Sequence, residues 1–77
     1  MSTCYVCESG WIIVGELRDD NEKTVSLINA SVVRSWGNGR GIGGIAKKEY
    51  KHEYMLDSIG DVKIMRSKVL FEIPCEW

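Results

Sequence analysis

SVVRSWGNGRGIGGIA, residues 31–46, is the stretch from which the rest of the chain is read, because it joins a strand to a turn that ordinary side chains do not build. Val32, Val33 and Trp36 have the branching and bulk of a β-strand. Five of the next eight residues are glycine, with Asn38, Arg40 and Ile42 between them. Ordering glycine is entropically unfavourable, so a run this dense implies positive φ angles or the close approach of another group. The run closes on Ile42, Ile45 and Ala46, an i, i+3, i+4 spacing that predicts one helical turn. A strand, a glycine-rich turn carrying an arginine, and a helix start make a place to hold an anion or a planar ligand. The candidate ligand-binding residues are therefore Arg34, Trp36, Gly37, Asn38, Gly39, Arg40, Gly41 and Gly43.

Alternation through this strand puts Val33 and Ser35 on one side and Val32, Arg34 and Trp36 on the other. With Val33 inward, Arg34 and Trp36 share the opposite face, where a planar base can stack on the indole beside a cation. The competing reading places Trp36 in the core or at an interface between copies of the chain.

Towards the N-terminus, WIIVGEL (residues 11–17) predicts a strand, RDDNEK a polar turn, and TVSLI a second strand with Val25 and Leu27 inward. Asn29 and Ala30 suit a tight reversal or a bulge before residues 31–36. Towards the C-terminus, KKEYKH reads as a helix end or loop, EYML as a strand, DSIGD (residues 57–61) as a turn, and VKIM as another strand. After the RSK turn, VLFEI closes the sheet with Val69, Phe71 and Ile73 inward, and Pro74 ends it by removing a backbone donor. Five or six short strands at this spacing predict a mainly β fold, either a small bent sheet or an SH3-like barrel, with one short helical turn after the glycine-rich loop.

A chain of 77 residues makes one domain with a limited core, which favours a homo-oligomer. At 44% hydrophobic and 27% charged, with one proline, it is globular. No apolar run approaches the ~20 residues that span a bilayer, and no signal-peptide pattern stands at the start, so a cytoplasmic protein is expected. The formal net charge of −1 argues against a general nucleic-acid coat. Residues 34–51 nevertheless carry a net +4, leaving −5 elsewhere, so the glycine-rich stretch is also the electropositive one and favours a small anionic nucleotide ligand.

Cys4 and Cys7 form a CxxC pair, which is half a zinc site or a redox pair, and Cys75 with His52 would complete four ligands. The second half lacks paired ligand spacing, and thioredoxin-type motifs sit at a helix start after a strand. The thiols are expected to be free, with no metal and no cofactor. His52 has no serine and carboxylate arranged with it in sequence, DSIGD reads as turn chemistry rather than a cation loop, and no Gly-Lys-Ser/Thr follows the glycines as in a P-loop. Binding without catalysis is expected.

The run from NASVVRSWGNGRGIGGIA through LDSIGDVKIM to VLFEIPC resembles a family of short domains from bacteria and their phages. In that family a strand ending in Arg-x-Trp-Gly precedes a glycine-containing turn and short helix, then a Leu-Asp-x-x-Gly-x-Val segment and a last strand ending in Cys. Asn29, Ala30, Arg34, Trp36, Gly37, Gly41, Gly43, Leu56, Asp57, Gly60, Val62, Ile73 and Cys75 carry the resemblance, while Arg40 departs from it. The resemblance implies a small β-fold in a phage or prophage setting and assigns no activity. With the basic glycine loop, it points to a phage-encoded protein that sequesters an anionic nucleotide signal of host antiviral defence, in a pocket built at subunit interfaces. The alternatives are an interaction or virion-assembly module using Trp11, Trp36 and Trp77 as anchors, and a small nucleic-acid-binding barrel.

Overall fold

A computed structural model describes residues 1–37 and 39–77. The described residues form five strands: β1 (Ser2–Cys7), β2 (Ile12–Asp20), β3 (Thr24–Ser35), β4 (Met55–Met65) and β5 (Val69–Pro74). They form one sheet in the order β4-β3-β2-β1-β5, with every neighbouring pair antiparallel. The fold is mainly β, and of the two expected arrangements it is the bent open sheet, since β4 and β5 are its two edges.

The bend follows from one connection. The 3-10 turn Arg66–Lys68 carries the chain from one edge of the sheet to the other. In a flat five-stranded sheet those edges lie about 19 Å apart, while three residues of 3-10 helix advance about 6 Å. The sheet must therefore coil until its edges approach. Arg66 holds the closure: its guanidinium pairs with Asp20 at the end of β2 and with Glu72 on β5, and its N–H donates to the Lys23 carbonyl.

Bulges supply the curvature. Asn29 adopts a φ of 51° where the β2–β3 and β3–β4 registers both slip, and its side-chain amide donates to Glu16 at 2.8 Å. Across that bend Gly15 meets Ala30 so closely that an added Cβ would sit 3.0 Å from the Ala30 Cα, and a larger residue would have to push β3 back. Gly60, at φ +76°, pairs with Ala30 and bulges β4. The turn expected at residues 57–61 is this bulge, and the two short strands read on either side of it are one strand of 11 residues.

Residues 2–7, read in the sequence only for their cysteines, form β1, an inner strand between β2 and β5. Cys4 packs with Val14, Val33 and Ile45 in one core, while its neighbour Tyr5 packs with Val25, Leu27 and Ile64 in the core on the other face. Val25, Leu27 and Val33 are buried as expected. Val69 and Ile73 are part-buried, but Phe71, expected inward, is half exposed because β5 is an edge with little beyond it.

The first core is roofed by two 3-10 turns rather than one helical turn, Ile42–Ala46 and Lys48–Glu53. Ile45 is fully buried under this cover. The C-terminal residues pin it: the Trp77 indole N–H donates to the Ile45 carbonyl at 2.7 Å, and the Glu76 N–H donates to the Ala46 carbonyl at 2.8 Å.

Candidate functional site

The glycine-rich loop leaves β3 at Ser35 and ends in the cover, so its residues sit along one border of the first core. Arg34 and Trp36 do not share a face there. The β3–β4 register slips between Val33 and Ser35, which breaks the alternation, and Trp36 packs against the same core as Val33. Arg34 stays exposed and pairs with Asp57 of β4, Nε to Oδ2 3.2 Å.

Gly39 and Gly41 take positive φ, +77° and +68°, and so justify glycine on either side of Arg40. Gly37 and Gly43 have neither a positive φ nor a neighbour within 4 Å of an added Cβ. Asn38 lies outside the described residues.

Among the described residues Arg40 engages Glu53 and Tyr50. Its Nε donates to Glu53 Oε1 at 2.9 Å, and its guanidinium carbon lies 3.7 Å from the centre of the Tyr50 ring. The hydrogen bond to Glu53 raises the guanidinium pKa above its ordinary value, so the charge is held more firmly. Beneath it the Tyr54 hydroxyl donates to the Gly41 carbonyl. Gly44 admits that arrangement: an added Cβ would stand 2.5 Å from the Tyr54 hydroxyl and 2.8 Å from the Arg40 Cβ.

Tyr50, Glu53, Tyr54 and Gly44 were not singled out by sequence reasoning. The only sequence signal was KKEYKHEY, where Tyr50 stands three and four residues before Glu53 and Tyr54, on one side of a helical turn. The basic character of residues 34–51 is largely offset in three dimensions by acids from elsewhere: Asp57 on Arg34, Glu53 on Arg40, and Glu76 on Lys47 at 3.2 Å. The Lys51 ammonium rests over the Trp77 ring, 4.3 Å from its centre.

Surface clefts among the described residues lie elsewhere. One of about 510 Å³ is ringed by charged and polar groups, among them Arg18, Asp19, Asp61 and Lys63. The other, about 370 Å³, lies between the β1–β2 turn and the end of β4 and has Trp11, Ile13 and Met65 in its lining with Lys63 and Lys68. Neither is lined by Arg34, Trp36 or Arg40.

The cysteines divide between the two cores. Cys4 and Cys75 lie in the first and Cys7 in the second, so the CxxC pair cannot close on one ion while β1 keeps its register. Burial pushes the Cys4 thiol up to about 12, with Cys75 and Cys7 adding to it, and burial also raises Cys7 and Cys75. Among the described residues no three of His, Cys, Asp and Glu converge as a metal-binding group, and no helix is long and apolar enough to cross a membrane. No family model, no curated protein and no solved structure matches this chain.

Proposed function

We propose that this protein is a non-catalytic interaction module that works by protein–protein contact through the exposed edges of its sheet. One observation carries the reading: five of the eight large apolar side chains left in solvent lie on the edge strands, Met55, Ile59 and Met65 on β4 and Leu70 and Phe71 on β5, with Met65 62% and Leu70 63% exposed. An unpaired strand with apolar side chains is a template for another chain. A photo-crosslinking residue placed at Leu70 is expected to trap a protein in cells, and the same residue at Glu49, on the cover, is expected to trap none. Equal labelling from both positions removes the reading.

Sequestration of an anionic nucleotide is the second reading. It is favoured by Arg40 standing between two positive-φ glycines with its guanidinium flat on Tyr50. Here the phosphate competes with Glu53 for the Arg40 guanidinium, so binding is set against an existing charged partner rather than filling a free site. Denaturing protein purified from cells and analysing the released small molecules by mass spectrometry tests it. A stoichiometric nucleotide that is lost in Arg40→Ala would put this reading first.

A further inference from the structure

Residues 75–77 leave the end of β5 and lie between β1 and the cover, tied to both. The Cys75 N–H donates to the Ser2 carbonyl at 2.9 Å and the Ser2 N–H donates to the Trp77 carbonyl, while the Glu76 N–H turns the other way and donates to the Ala46 carbonyl at 2.8 Å. This is the alternation of an extended segment laid in a slot, with one wall from the sheet and one from the cover. Cys75 is buried in the first core, whereas Glu76 is exposed and Trp77 only part-buried at its border. Glu76 and Trp77 are therefore the part of the segment that can leave while the core stays closed.

The walls of the slot select an acid followed by an aromatic. One oxygen of the Glu76 carboxylate accepts from the Lys47 ammonium at 3.2 Å and the other from the Lys48 backbone N–H at 3.4 Å. The Trp77 indole N–H donates to the Ile45 carbonyl at 2.7 Å, and the Lys51 ammonium stands over the ring face. Main-chain bonds along an extended segment, with a separate seat for each side chain, are the terms on which a peptide is recognised. The hold on the charged residue is light, because the Lys47–Glu76 pair is more than half exposed on both sides and such pairs contribute little. A short segment held in this way opens locally more readily than the strands beside it.

We infer that the slot filled by Glu76 and Trp77 is a docking site for an extended segment of a partner protein carrying an acid followed by tryptophan, and that residues 76 and 77 hold it closed by occupying it in cis. Charge selects a partner protein over a second copy of this chain. Residues 47–52 of the cover carry Lys47, Lys48 and Lys51 against Glu49, so two covers brought together set like charges against each other, whereas an acidic segment is drawn in. Exchange between copies demands that closeness, because Cys75 stays in its own core and two residues reach only about 7 Å. The tethered segment competes at high effective concentration, so a partner binds weakly while it is in place and tightly once it is displaced. This surface is separate from the sheet edges, and its test can fail while the edge-contact reading stands.

The test uses the full chain and a fluorescein-labelled peptide, Ile-Pro-Ser-Glu-Trp, which repeats residues 73–77 with serine for Cys75. Fluorescence anisotropy measures its binding to the wild type, to Glu76→Lys, and to the double variant Glu76→Ala with Trp77→Ala, and circular dichroism melts establish that the variants fold. Both variants are expected to bind the peptide about tenfold or more tighter than the wild type, since each frees the slot of its own segment. On the double variant, a peptide with lysine in place of its glutamate is expected to bind about tenfold more weakly, and one with phenylalanine in place of its tryptophan several-fold more weakly, for want of the indole N–H. Should the double variant fail to fold, Glu76→Lys, altered at an exposed side chain, decides. Folded variants that bind no better than the wild type overturn the inference, as does equal binding of the lysine peptide. A wild-type dimer in light scattering that Glu76→Lys dissociates overturns the choice of a partner protein and assigns the slot to residues 76 and 77 of a second copy.

Discussion

Cys4 and Cys7 are neighbours in the CxxC motif and strangers in the structure: Cys4 is buried in the core beneath the 3-10 cover and Cys7 in the core on the opposite face of the sheet. A strand turns residues i and i+3 to opposite sides, and β1 is buried on both. The thiols are expected to react with an aromatic disulfide reagent only as fast as the chain unfolds. Zinc is expected to leave the melting temperature unchanged, and a metal-dependent rise in that temperature would contradict the placement of β1.

Alkaline pH is expected to destabilise the fold. The Cys4 thiol is raised from 9.0 to about 12, chiefly by burial, and the Tyr5 hydroxyl from 10.0 to about 12 by burial and then by Glu72 and Asp20. Above pH 9 the unfolded chain therefore holds fewer protons than the folded one, and stability falls as pH rises until the folded groups ionise near 12. Each group contributes up to about 1.4 kcal/mol per pH unit in that window. Urea titrations at increasing pH measure the slope, and Cys4→Val is expected to reduce it.

The glycines of the loop are expected to differ sharply. Gly44→Ala should destabilise by about 1–3 kcal/mol, since its methyl group collides with the Tyr54 hydroxyl and the Arg40 side chain. Gly41→Ala, at φ 68° and ψ −171°, a region essentially reserved to glycine, should lose about 1–3 kcal/mol through backbone strain. Gly37→Ala and Gly43→Ala should change stability little, as open space surrounds both. Chemical denaturation of the four variants tests the ranking.

Trp36→Ala is expected to lower stability by about 2 kcal/mol, on the low side for a core aromatic because the ring is only part-buried. Arg34→Ala is expected to be nearly neutral, because its ion pair with Asp57 is exposed. A stable Trp36→Ala protein would restore the indole to a ligand-facing role.

Trp77→Phe removes the indole N–H that holds the Ile45 carbonyl and is expected to reduce stability by about 1 kcal/mol. Hydrogen exchange should quicken across the cover, residues 42–53, and stay unchanged in β2 and β3. Faster exchange throughout the sheet would show that the C-terminus supports more than the cover.

Local sequence determined what depends on period and on turn chemistry. The alternation of TVSLI placed Val25 and Leu27 inside, Asn21 closed the β2–β3 turn by accepting N–H bonds from Lys23 and Thr24, and the dense glycines marked a loop with positive φ. Tertiary pairing decided the rest. DSIGD serves equally as a turn or as a bulge, and only the neighbouring β3 made Gly60 a bulge within one long strand. Trp36 moved to the core side because the register with β4 slips after Val33, which no reading of β3 by itself reveals. The CxxC segment became an inner strand because two cores formed on either side of it. The basic loop lost most of its excess charge to Glu53, Asp57 and Glu76, each 13 or more residues from the cation it meets, whose approach depends on the bend of the sheet and the cover packed upon it.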